Sequence, residues 1–188
     1  MTRLVRAAEL IGTPVATLDA GTFVAEVRDV LFDPQRWRFL GFTLRGRGLL
    51  SPPLIGLLRA AGVRAVGRDA VMIGSEAVLL RDDEDIRGAL GEHEDAVGQE
   101  VVTDRGVTLG RIADLVLEAD GGKVLVVGYA VRRPDGHEMV VPLLPDAGPN
   151  WGAAMVVPAS TEQLSSGGLV GLREALERTR ATRSGVGL

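Results

Sequence analysis

Two aspartates stand inside largely apolar stretches: Asp29, beside Arg28, in Val27-Arg28-Asp29-Val30-Leu31 and Asp114 in Ile112-Ala113-Asp114-Leu115-Val116. A carboxylate in such surroundings can have a shifted pKa and serve as an acid, a base or a ligand. It can equally accept backbone N–H groups where a strand bulges or turns a barrel corner. The two hold the same place in two similar segments. Structural needs duplicate more readily than active sites, so a structural role is expected for both.

The remaining chemistry is sparse. The histidines are His93 and His137. Glu92-His93-Glu94-Asp95 could attract a divalent cation, but it lacks the i, i+4 pairing of a zinc helix and the alternating oxygen ligands of a calcium loop. It reads as a solvated linker, and His137, after Pro134-Asp135-Gly136, reads as a hairpin turn. Ser160-Thr161 and Ser165-Ser166 have no Gly-x-Ser-x-Gly elbow around them. No phosphate-binding glycine loop is present, and the single lysine, Lys123, falls at a strand start. The absence of cysteine removes thiolate nucleophiles, disulfides and Cys-ligated metals together. These readings point away from an enzyme, with no catalytic residue, metal or cofactor expected.

The elements that carry these residues repeat. Ile11-Gly12-Thr13-Pro14-Val15-Ala16-Thr17 lies over Val97-Gly98-Gln99-Glu100-Val101-Val102-Thr103. Val27 to Asp33 lies over Ile112 to Glu118, and Leu40-Gly41-Phe42-Thr43-Leu44-Arg45 over Val127-Gly128-Tyr129-Ala130-Val131-Arg132. Ala70-Val71-Met72-Ile73 then lies over Ala154-Met155-Val156-Val157. Each block is short, rich in Val, Leu and Ile, and bounded by turn signals such as Asp19-Ala20-Gly21 and Asp120-Gly121-Gly122, as strands are. Gly12, Gly98, Gly41 and Gly128 recur with Asp29 and Asp114 as the structural signature. Five or six strands in each copy predict a small closed barrel.

The expected fold is therefore all-β, with two tandem small barrels. Domain 1 spans 1–81, an acidic helical linker 82–92, domain 2 93–162, and a C-terminal helix and tail 163–188. Copy 1 carries a proline-led insertion over 52–62, predicted as a helix from Leu54 to Ala61 after the Ser51-Pro52-Pro53 start. Leu169, Leu172 and Leu176 make an apolar stripe on the last helix.

These ordered blocks resemble the PRC-barrel family. The resemblance rests on Gly98, Val101 and Thr103, Gly110 to Leu115, the Val127-Gly128-Tyr129 strand, Val141-Pro142 and Ala154 to Val157. Copy 1 departs from the pattern at Ala25, where copy 2 has Gly110, and at its insertion. Members of the family include the cytoplasmic domain of the photosynthetic reaction-centre H subunit and the C-terminal domain of a small-subunit ribosome-maturation factor. The resemblance implies a fold and a tendency to bind macromolecules rather than to perform chemistry; it does not by itself name a function.

Composition narrows the partners. The net charge of −4 disfavours a protein devoted to gripping nucleic acid. No segment reaches the roughly 20 apolar residues of a membrane helix, and a cytoplasmic location is expected. Copy 1 (4–80) holds nine basic and seven acidic residues, whereas copy 2 (92–162) holds five and twelve. The expected function is a protein–protein adaptor or assembly module that self-associates, its contacts made by Trp37, Trp151, Leu54, Leu58, Leu169, Leu172 and Leu176. Each tryptophan could instead plug its own barrel. The alternative is a factor associated with RNA or the ribosome during maturation, and a sensor of a small ligand or ion is a third reading.

Overall fold

The computed structural model describes residues 2–33, 35–46, 56–81, 96–143 and 150–184. The expected linker over 82–92 and the first part of the expected insertion, Leu54 included, lie outside them. The chain forms two units: Met1–Glu94 with Leu117–Val126, and Asp95–Val116 with Val127–Leu188.

Unit 1 begins with β1 (Arg3–Arg6) and a single helical turn, α1 (Ala7–Leu10). Then follow β2 (Pro14–Thr17), β3 (Phe23–Asp33), β4 (Arg38–Arg45), β5 (Gly56–Arg59), β6 (Val63–Val66), β7 (Val71–Ile73) and β8 (Leu79–Leu80). The sheet order is β6-β7-β2-β3-β4-β5-β8. Val15, Ala25, Val27, Phe42, Leu44, Leu58, Val71 and Ile73 are sealed from solvent in one core. Phe39 and Phe42 meet there edge to face, with centroids 5.0 Å apart.

The second unit uses β9 (Glu100–Thr103), β10 (Thr108–Asp120), β11 (Lys123–Arg132), β12 (Glu138–Pro142), β13 (Asn150–Trp151) and β14 (Met155–Val157). Two helices follow, α2 (Thr161–Leu164) and α3 (Leu169–Ser184). The strand order β12-β11-β10-β9-β14-β13 repeats the order β5-β4-β3-β2-β7-β6 of the first sheet. The chain is mostly β, as expected, and its duplication reaches the level of register. Val15, Ala16 and Thr17 run parallel to Val71, Met72 and Ile73; Val101, Val102 and Thr103 run parallel to Met155, Val156 and Val157.

Two glycine pairs show what the repeat preserves. Gly12 and Gly98 both adopt positive φ, +83° and +94°, conformations that a β-carbon disfavours. The Gly12 N–H donates to Val27 O at 2.8 Å and the Gly98 N–H to Ile112 O at 2.7 Å. At Gly128, and at Gly41 in addition to its own positive φ of +147°, the constraint is space. A β-carbon on Gly41 would overlap the carbonyl oxygen of Leu58, and one on Gly128 would come within 2.5 Å of the carbonyl oxygen of Val141.

The predicted helix over Leu54 to Ala61 is corrected where it is described. Gly56–Arg59 is strand β5, paired antiparallel with β4 through Gly41↔Arg59 to Leu44↔Gly56. Only Ala60–Gly62 turns, as one 3₁₀ turn. A short apolar run such as Leu54-Ile55-Gly56-Leu57-Leu58 has no period of its own, and pairing on two sides decides its state. β5 takes the place in copy 1 that β12 takes in copy 2, so this part of the supposed insertion is a core element of the barrel.

The ten residues Leu117–Val126 are the second departure. They form the tip of the β10–β11 hairpin yet belong to unit 1. Leu117, Ala119 and Val126 are buried in the same core as Val27 and Phe42. Gly122 lies flush on the backbone of β6, where a β-carbon would sit 2.5 Å from the carbonyl oxygen of Val63.

Candidate interaction surfaces

The two aspartates at the heart of the sequence reading differ in their surroundings. Asp29 lies beside a bulge, since Val27 pairs with Leu44 and Asp29 with Thr43, leaving Arg28 over. Its carboxylate is exposed, accepts the Thr43 hydroxyl at 3.1 Å and lies 3.4 Å from the Arg28 Nε. Asp114 is buried and accepts the N–H of Leu115 at 2.8 Å. Each carboxylate thus has a local partner, and the two face different environments.

A third carboxylate, not singled out by sequence, is the most tightly held. Asp33 ends β3 and is only 2% exposed. Its Oδ1 accepts the N–H groups of Gln35 at 3.0 Å and Arg36 at 3.1 Å, and the Arg36 Nη1 donates to Oδ2 at 3.1 Å. Burial pushes its pKa up. The Arg36 guanidinium, with the two backbone donors, outweighs that and holds the carboxyl below its ordinary range. This clamp closes the β3–β4 loop.

The clamp positions Trp37, whose φ of +50° is the positive value among described residues other than glycine. Its ring is half-buried and tilts 45° against Phe32, centroids 6.1 Å apart, at the margin of the core. Trp37 therefore folds back onto its own barrel, while Arg36 and Arg38 beside it are exposed. Trp151 lies in β13 opposite Met155. Its side chain lies outside the described residues.

The aliphatic candidates turn inward. Leu58 is fully buried in the unit 1 core, because alternate residues of β5 face inward. On α3, Leu172 is fully buried and Leu176 nearly so, and Leu169 is half-buried. The helix packs on β12, and the Leu172 methyls come within 3.4 Å of where a β-carbon on Gly128 would stand. The stripe predicted as a contact face is thus covered by its own sheet. Val170, at 76% exposure, marks the outer side of the helix.

His137 sits in the β11–β12 turn, its N–H donating to the Asp135 carboxylate at 2.9 Å and its carbonyl accepting from Arg133. His93 lies outside the described residues. Among the described residues, no group of three or more His, Asp or Glu side chains converges in a way that could hold a metal ion. No described helix is long and apolar enough to cross a membrane. Sequence reasoning missed the apolar residues that the structure does expose, chiefly Leu18 and Phe23 at the β2–β3 hairpin. Their signal lay in the turn Asp19-Ala20-Gly21 that follows Thr17, which Leu18 and Phe23 flank.

Residues 3–87 and 92–158 each match the PRC-barrel domain family, and the chain belongs to that family. It is also similar to a protein from Frankia alni described as ribosome maturation factor RimM. The two are 35% identical over 162 residues, an alignment covering 73% of this chain and 86% of the relative. The expectation of a general adaptor module is corrected by this relative, which points to the ribosomal alternative. The adaptor reading took the duplicated barrel without a catalytic constellation and the charge contrast between the copies as its grounds; of the leucines it named as contacts, Leu58, Leu172 and Leu176 are buried.

Proposed function

We propose that this chain is a ribosome maturation factor that works by binding in the cytoplasm rather than by catalysing a reaction. The observation that carries the reading is the likeness to the Frankia alni factor. An alignment covering 73% of the chain is longer than either copy, so it extends across both barrels and not over one shared module.

Charge supports the same reading and refines it. Ribosomal particles are polyanionic RNA carrying basic proteins. Exposed arginines of unit 1, Arg38 and Arg64 among them, suit contact with phosphate. Copy 2, with twelve acidic residues against five basic, suits basic ribosomal proteins and resists unspecific adhesion to RNA. A factor that must recognise a particle and then leave it benefits from that balance.

Deleting the gene tests the proposal. Unprocessed ribosomal RNA precursors and incomplete particles should accumulate, and the full chain supplied in trans should restore normal levels. A deletion strain with unchanged precursor RNA and unchanged particle profiles contradicts it.

A further inference from the structure

The tip of the β10–β11 hairpin, Leu117–Val126, is built as a ligand of unit 1. The chain passes from one unit to the other inside two continuous strands, after Val116 in β10 and after Val126 in β11. In copy 2, β9 pairs with β10 over Thr108 to Arg111, and β12 pairs with β11 over Gly128 to Arg132. Both ladders end short of the tip. Unit 1 supplies a further partner, its own β1, which is hydrogen-bonded to β10.

The tip fits unit 1 by side chain as well as by backbone. Leu117 and Ala119 on one strand and Val126 on the other are buried in the core that holds Val5, Val27 and Phe42, whereas Leu125, the neighbour of Val126, is 40% exposed. Gly122 at the turn rests on β6, where a β-carbon would lie 2.5 Å from the Val63 carbonyl oxygen and 3.2 Å from that of Arg64. Added strand pairing and alternate buried side chains are how a sheet recognises an extended peptide. The corresponding end of the β3–β4 hairpin offers no such ligand. The Asp33–Arg36 clamp folds it back, and Phe32 and Trp37 pack on unit 1 itself.

Every chain therefore carries one tip and one receptor for it. The contacts that hold the tip are identical whichever copy of the chain supplies it. When two copies exchange tips, both receptors are filled by equivalent contacts and no tip is left over, so the assembly closes at two. Fourteen residues separate Arg81 from Ala96, and a connection of that length gives the chain's own tip an effective concentration on the order of millimolar. Exchange competes when chains fold together near that concentration, and reversal is then as slow as the opening of unit 1.

We propose that unit 1 takes the hairpin tip of a second copy of this chain, giving a closed dimer held by reciprocal exchange of Leu117–Val126. The test uses the full chain and its single lysine, Lys123, which is exposed at the tip. Equal amounts of heavy-isotope and unlabelled protein, each with an amine-coupled diazirine on Lys123, are unfolded together. They are refolded at about millimolar concentration and separated by size. Irradiation joins the tip to β6, and mass spectrometry reads which copies contribute the joined peptides.

In the dimer fraction, about half of the joined peptides should pair a heavy tip with a light β6 or the reverse, the share that random closed pairing gives. The monomer fraction should give same-isotope pairs. A dimer in which every joined pair is of one isotope is held by another surface and overturns the proposal. Protein that refolds wholly as monomer overturns it too. Neither result bears on the ribosomal reading.

Discussion

Asp33 and Arg36 lock the β3–β4 loop through both oxygens of one carboxylate: the Arg36 N–H donates to Oδ1 and its Nη1 to Oδ2, each at 3.1 Å. The loop so fixed holds Trp37 at φ +50° against Phe32, a conformation that a bulky residue keeps only when its surroundings enforce it. Asp33→Ala should cost about 2 kcal/mol in chemical denaturation, because it removes the charged acceptor of two backbone N–H groups as well as the ion pair. Tryptophan fluorescence should move to longer wavelength as Trp37 loosens.

The same pair sets a pH dependence. The folded pKa of Asp33 lies below its unfolded value, so its ionised form contributes stability above the ordinary carboxyl range. That contribution fades as pH falls through the folded pKa. The stability gap between the wild type and Asp33→Asn should therefore be constant at neutral pH and narrow below about pH 4. A gap that widens on acidification would contradict the assignment.

Gly41 and Gly12 share a positive φ and differ in the space around them. At Gly41 a β-carbon would overlap the Leu58 carbonyl, so Gly41→Ala must push strand β5 away and should cost on the order of 2–4 kcal/mol. Gly12 has positive φ but room around it, so Gly12→Ala should cost only about 1 kcal/mol. Denaturation midpoints of the two variants give the comparison directly. Equal losses would mean that the close β4–β5 approach is not a constraint.

Tyr129 is the single tyrosine and is buried at 2% exposure, and burial pushes its hydroxyl far above the ordinary phenol value. A raised folded pKa contributes stability below the unfolded value of about 10 and loses it as pH climbs beyond. Phenolate absorbance should therefore stay absent from the native protein past that pH and appear only together with loss of structure. Free titration near pH 10 in a folded protein would show that the ring is accessible.

Leu117, Ala119 and Val126 complete the core of unit 1 although they follow the first copy by more than twenty residues. A fragment ending at Glu94 lacks them and should not melt cooperatively. In the full chain, Leu117→Ala should cost about 2–5 kcal/mol, the range for a truncated buried leucine. A fragment with the melting transition of the intact unit would show that the hairpin tip is dispensable.

The duplication was legible because the strand blocks recur in the same order, with Gly12 and Gly98, Thr17 and Thr103, Asp29 and Asp114, and Gly41 and Gly128 at matching positions. Those same positions fall into matched registers at Thr17 and Thr103. Strand β5 was not legible: Leu54 to Ala61 has a proline start, a glycine stop and no alternation, and only its partners β4 and β8 make it extended. Nor was the placement of Leu117–Val126, since an apolar hairpin reads the same whichever core receives it. The leucines proposed as contacts, Leu58 and Leu172, were apolar because they are core. The exposed pair Leu18 and Phe23 sat at a turn, where hydrophobic periodicity has no say.

The central claim, that this chain binds ribosomal particles, is tested most directly by sedimenting the purified full protein with particles from the same cells at low salt. The account predicts that the protein travels with incomplete small or large particles, and less with finished ribosomes. Protein that remains at the top of the gradient with every particle class, at concentrations well above those in the cell, would contradict it.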